Sequence, residues 1–115
     1  MQMIVAYFRP IVQDEVMERL RQMGVPGASL SKVHGFGLEA DAAGKETYGP
    51  QVSPYKHTVK LEVICPDDRE AELVDTIAQT AQTGQRGDGK IYVLPVQRAV
   101  DIRSYEAGGA AHGRA

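Results

Sequence analysis

At 115 residues the chain has room for one domain and not for two of ordinary size. Thirteen Lys and Arg against fifteen Asp and Glu leave a net charge of −2, which argues against nucleic acid as a partner, because that partner calls for a basic surface. The single cysteine, Cys65, excludes an internal disulfide framework, and no apolar run approaches the roughly 20 residues of a membrane span. The opening MQMIVAYFRP carries no basic stretch ahead of its apolar one, so no secretory leader is expected and the chain reads as soluble and cytoplasmic. A domain this small buries only about two-thirds of its unfolded surface, which makes oligomerisation a natural way to bury more.

Met3 to Phe8 is a short continuous apolar run bounded by Arg9-Pro10, the pattern of a strand buried on both faces. A helix is expected from about Val12 to Met23. Asp14 and Glu15 suit its N-terminal dipole, Val16, Leu20 and Met23 recur at helical spacing, and Gly24 stops it. Ala28 to Phe36 reads as a second strand with a diluted pattern. From Gly37 to about Lys56 no helix or strand period is present, and a stretch of that length in a small domain is often a binding element. Thr58 to Cys65 alternates cleanly, with Val59, Leu61 and Val63 on one face and Lys60, Glu62 and Ile64 on the other. Pro66-Asp67-Asp68 opens a second helix to about Gln82, striped by Leu73, Ile77 and Ala81, and the two aspartates read as helix caps rather than a catalytic pair. Thr83 to Gly89 is a glycine-rich turn, and Lys90 to Leu94 is a last strand closed by Pro95.

Two strand–helix–strand halves joined by a long loop predict an α+β, ferredoxin-like split βαβ sandwich: a four-stranded antiparallel sheet with both helices on one face. Residues 1–100 form the expected domain, with 101–115 as a C-terminal loop and tail. The other sheet face, to which Ile4, Ala6, Glu62 and Ile64 are assigned, has no third layer to cover it and is expected to meet another subunit.

The most specific stretch is Thr83-Gly84-Gln85-Arg86-Gly87-Asp88-Gly89-Lys90. Three glycines in six positions let backbone N–H groups close around an anion, and Arg86 and Lys90 add positive charge. It departs from the G-x-x-x-x-G-K-[ST] phosphate loop, because Ile91 stands at the hydroxyl position and a strand follows. His34, His57, His112 and Cys65 match no ligand spacing, so no metal site is expected, and no residue pattern supports a catalytic role.

TGQRGDGKIYVLPV resembles the phosphate-loop signature of the PII signal-transduction proteins. Arg9-Pro10, Gly35-Phe36-Gly37, VKLEVICPDD and Asp101-Ile102-Arg103 fall where that family has corresponding features. The resemblance implies a homotrimer that binds an adenine nucleotide (ADP, AMP or ATP) in clefts between neighbours. It also implies that residues 37–56, the family's T-loop, control a transporter or metabolic enzyme, with no enzymatic activity, prosthetic group, nucleic acid or membrane insertion. Carried over position by position, it places Ser29 near the adenine and Glu62 and Ile64 on the cleft side of their strand. Gly35, Gly37, Gly87, Asp88, Gly89, Lys90 and Arg103 fall around ribose and phosphates, where Arg86 also lies close.

The chain departs from the family at several of these positions. Asp101 replaces a phosphate-contacting arginine and Leu38 another. Glu39 stands where the 2-oxoglutarate sensors have a glutamine that completes Mg²⁺ coordination, and Thr58 where they have a lysine for the distal carboxylate. Leu38, Glu39 and Thr58 predict a weak response to 2-oxoglutarate, since a dicarboxylate would be left unpaired, while Asp101 predicts weaker affinity for the most charged nucleotide. Gln51 occupies the position of the tyrosine uridylylated in some members, with Tyr48 and Tyr55 nearby in the same partner-binding loop. A regulator linked to bicarbonate, and a conventional nitrogen regulator, remain alternatives within the class. A slow nucleotide hydrolase and a purely structural trimer are the alternatives outside it.

Overall fold

The computed structural model describes residues 1–35 and 56–105. Its elements run β1 (Gln2–Phe8), a 3-10 turn (Pro10–Val12), α1 (Gln13–Gln22), β2 (Ser29–Gly35), β3 (Lys56–Cys65), a second 3-10 turn (Asp67–Arg69), α2 (Glu70–Ala81) and β4 (Gly89–Pro95). The strands form one antiparallel sheet in the order β2-β3-β1-β4, with β1 paired on both sides. This is the ferredoxin-like α+β arrangement read from the sequence.

Local chemistry explains the boundaries. Pro10 starts the first 3-10 turn, where its missing N–H is not needed, and delays α1 by one residue relative to the expected Val12. Gly24 ends α1 at φ 77°. Its N–H donates to the Arg21 carbonyl (3.0 Å) and that of Val25 to the Leu20 carbonyl (3.2 Å), which is the paired closure of a Schellman motif.

The core lies between the sheet and the two helices. Ile4, Ala6 and Phe8 of β1 and Val59, Leu61 and Val63 of β3 meet Val16 and Leu20 of α1 and Leu73 and Ile77 of α2, all buried. The register pairs Ile4 with Val63 and Ala6 with Leu61, so these side chains share the helix-covered face. Ile4 and Ala6 therefore do not belong to the open face, where the sequence reading placed them. The β1 run is apolar at every position from Met3 to Phe8 and carries no alternation from which the inward parity could be read.

The open face carries Met3, Val5 and Tyr7 from β1, Glu62 and Ile64 from β3, and Tyr92 and Leu94 from β4. Tyr7 and Tyr92 meet edge to face, with ring centroids 6.2 Å apart. Tyr92 is 50% and Leu94 42% exposed. The aspartates after Pro66 also differ from expectation, since neither caps the helix. Asp67 instead accepts hydrogen bonds from the Met1 ammonium and from Gln2 (3.2 Å), tying the chain start to the end of β3, and these bonds hold its carboxyl below the usual range. Among the described residues no helix is long and apolar enough to cross a membrane.

Candidate functional site

The turn from Thr83 to Gly89 connects α2 to β4, and a carboxylate organises it from within. Asp88 accepts from the backbone N–H of Thr83 (2.8 Å) and of Gly84 (3.0 Å), from the Thr83 hydroxyl, and from the Arg9 Nε (2.9 Å). The Arg9 Nη2 donates in addition to the Arg86 carbonyl at 2.7 Å. One arginine at the end of β1 thus grips both the carboxylate and the backbone of the turn. Partial burial pushes the Asp88 carboxyl up. The bonds from the Thr83 hydroxyl, from Arg9 and from the N–H groups of Thr83 and Gly84 outweigh that effect and hold it well below the usual carboxylate range.

Glycine is needed here for two separate reasons. Gly84 and Gly87 sit at φ 86° and 85°, in the left-handed region. Gly89 has φ 131°, and a Cβ there would lie 1.8 Å from the Tyr7 carbonyl oxygen. That close approach seats the start of β4 against the end of β1. Beside it a cleft of about 440 Å³ opens between α2 and the strands, lined by Tyr7, Phe8, Ile77, Gln79, Asp88 and Lys90 among others. Lys90, which lines it, and Arg86 in the turn are both exposed. The arrangement is a glycine-rich turn folded around its own carboxylate, with the cations Arg86 and Lys90 exposed on it.

The structure gathers only part of the predicted set. Arg86, Gly87, Asp88, Gly89 and Lys90 lie together in the turn. Ser29 begins β2 at the opposite edge of the sheet, directly across from Glu62, and with Glu62 and Ile64 it lies on the open face. Three strand spacings of about 4.8 Å separate β2 from β4, so Ser29 and the turn are not one site within a single chain. Gly35 ends β2, at the same end of the sheet as the turn. Arg103 stands in a short C-terminal turn, its N–H donating to the Asp101 carboxylate at 3.3 Å. Gly37, Leu38, Glu39, Tyr48, Gln51 and Tyr55 lie outside the described residues, as does His112.

Two groupings went unread in the sequence. Arg9 is separated from Asp88 by 79 positions, so no local pattern announces the contact. His34 and His57 are register partners on β2 and β3, with His34 Nε2 and His57 Nδ1 3.0 Å apart. Only the strand alignment brings them together.

The model of one protein family, described as nitrogen regulatory protein P-II, matches residues 1–106. Nitrogen regulatory protein P-II 1 of Escherichia coli (strain K12) is 38% identical over 111 residues, covering 96% of this chain and 99% of that protein. The P-II proteins of Haemophilus influenzae and Klebsiella oxytoca are each 37% identical, covering 92% and 96% of this chain and 95% and 99% of theirs. These likenesses run through both halves of the fold and through the turn organised by Asp88. The chain accordingly belongs to the nitrogen regulatory protein P-II family, a family of signal-transduction regulators and not of enzymes.

Proposed function

We propose that the chain is a nucleotide-responsive regulator that holds the phosphates of an adenine nucleotide at the Thr83–Lys90 turn, in a cleft between protomers of a homotrimer. The observation that carries this reading is the internal hub on Asp88. Its oxygens are engaged by Thr83, Gly84 and Arg9, so the turn is set before any ligand arrives and its cost of ordering on binding is small. Arg86 and Lys90 then meet the charge of the phosphates, and Arg103 is a third cation for the same task.

The separation of Ser29 from the turn supports a site shared between copies. A second chain whose β2 edge lies beside the β4 edge of the first brings Ser29, Glu62 and Ile64 toward the turn and completes an adenine pocket. The uncovered apolar face, with Tyr92 and Leu94 exposed, supplies the surface that such an assembly buries.

Residues 37–56 are the segment through which the regulator acts, including Leu38, Glu39, Tyr48, Gln51 and Tyr55, and the target is a transporter or metabolic enzyme. Gly35 and the turn lie at the same end of the sheet on opposite edges, so in the assembly a ligand at the turn of one copy sits close to the root of that segment in the neighbouring copy. The nucleotide controls the target by binding one arrangement of the segment more tightly than another. Leu38, Glu39 and Thr58 remove charge or ligand geometry that a 2-oxoglutarate site uses, so nucleotide alone is the effector, and Asp101 removes a cation from the phosphates, so ADP or AMP competes well with ATP. Regulation of nitrogen use in the cytoplasm is the setting most in keeping with the relatives.

Isothermal titration of the purified chain with ATP, ADP and AMP, with and without Mg²⁺ and 2-oxoglutarate, tests this reading. The expected result is saturable binding of adenine nucleotides, lost in Lys90→Ala, with little enhancement by 2-oxoglutarate. No heat from any nucleotide removes the site, and strong synergy among ATP, Mg²⁺ and 2-oxoglutarate removes the effector assignment.

A further inference from the structure

We propose that His34 and His57 form a chelating site for a divalent transition metal of the copper(II) or nickel(II) class, at the root of residues 36–55. The two histidines are directly opposed on adjacent antiparallel strands, one residue before the end of β2 and one after the start of β3. Their imidazoles touch edge to face, with centroids 4.4 Å apart and planes at 79°, and both are exposed to solvent. The facing nitrogens, His34 Nε2 and His57 Nδ1, are 3.0 Å apart.

That proximity puts both imidazoles within reach of one metal at bonds of about 2.0–2.1 Å. Among the divalent metals that imidazole binds, copper(II) stands highest in affinity, above nickel and zinc. In the metal-free pair one ring N–H points at the lone pair of the other. Chelation turns both lone pairs toward a common point, a rotation about the ring torsions that the exposed setting of the pair leaves room for. Imidazole is a borderline donor suited to copper and nickel and poor for magnesium.

Among the described residues no third His, Cys, Asp or Glu joins the pair. A metal held there links the strand that leads into residues 36–55 to the strand that leads out of them. The site stands apart from the Asp88 turn, and its existence does not depend on the nucleotide reading.

The test titrates copper(II) into the purified chain without nucleotide and follows the d–d absorption and the nitrogen splitting in the electron paramagnetic resonance spectrum. One copper per chain with two imidazole nitrogens is expected, bound more tightly than nickel or zinc and unaffected by excess magnesium. His34→Asn and His57→Asn should each weaken binding by an order of magnitude or more and leave one nitrogen, while His112→Asn leaves affinity and spectrum unchanged. Absence of stoichiometric uptake at micromolar copper overturns the site, as does uptake that His34→Asn and His57→Asn leave unchanged or that His112→Asn abolishes. A measurement on the unaltered chain stands beside the variants: substoichiometric copper should broaden the ring resonances of His34 and His57 first, and broadening led by any other group also refutes it.

Discussion

The two faces of the sheet are made by the same strands, and they end in opposite situations. On one, Ile4, Ala6, Leu61 and Val63 are sealed by α1 and α2 to 1% exposure or less. On the other, Tyr92 and Leu94 are as apolar and remain about half exposed, with Tyr7 leaning on Tyr92. A strand writes both faces in alternate residues, so its composition alone does not say which one the helices cover. Two short helices cover one face of a four-stranded sheet. The apolar character of the second face is in keeping with the proposed assembly, in which a further copy of the chain covers it.

The largest expected effect comes from the sealed face. Leu61→Ala leaves a cavity between sheet and helices and should cost about 2–5 kcal/mol in chemical denaturation. Leu94→Lys, on the open face, should leave the fold of one chain intact and instead lower the oligomeric mass measured by light scattering. Equal loss of fold stability from both changes breaks the contrast between the faces, and an unchanged mass for Leu94→Lys removes the interface.

Next in size is the close approach at the turn. Gly89→Ala drives a Cβ into the Tyr7 carbonyl at φ 131°, so the start of β4 must move away from β1, at a cost of roughly 3 kcal/mol. Asp88→Asn removes the charge that gathers Thr83, Gly84 and Arg9 and should cost about 1–3 kcal/mol at neutral pH. Because the folded-state pKa of Asp88 lies below its unfolded value, its contribution is complete above about pH 4 and fades as the pH falls below that value. Denaturation curves of wild type and Asp88→Asn should therefore converge in acid. A gap that stays constant down to pH 2 would mean that the hub does not depend on the carboxylate charge.

The sequence is informative where a residue's role is local. The alternation of Val59, Leu61 and Val63, the stop at Gly24 and the glycine spacing of the turn each act over a few positions, and each was readable. The pairing of Arg9 with Asp88 was not, because it is created by the β1–β4 contact. The His34–His57 pair depends in the same way on how β2 and β3 align across the residues between them. Asp67 was misread because an acidic residue at a helix start fits a cap equally well, and only the position of the Met1 ammonium decides between them. The inward parity of β1 was hidden by its uniform apolarity, and the misplacement of Ile4 and Ala6 follows from that.

The smallest perturbation gives the most direct reading of which face is covered. Cys65 ends β3 on the helix side and is buried, and that burial, reinforced by Glu70, pushes its thiol pKa up. The thiolate is the reactive form, so Cys65 should be alkylated slowly at any protein concentration near neutral pH. Leu94→Cys places a second thiol on the open face of the same sheet. In the assembled protein that thiol should also react slowly, and its rate should rise on dilution as copies separate, while the rate at Cys65 stays constant. A fast reaction at Cys65 would mean that the helices do not seal their face. A Leu94→Cys rate that is fast and independent of concentration would leave the open face facing water, and the apolar residues there would need another explanation.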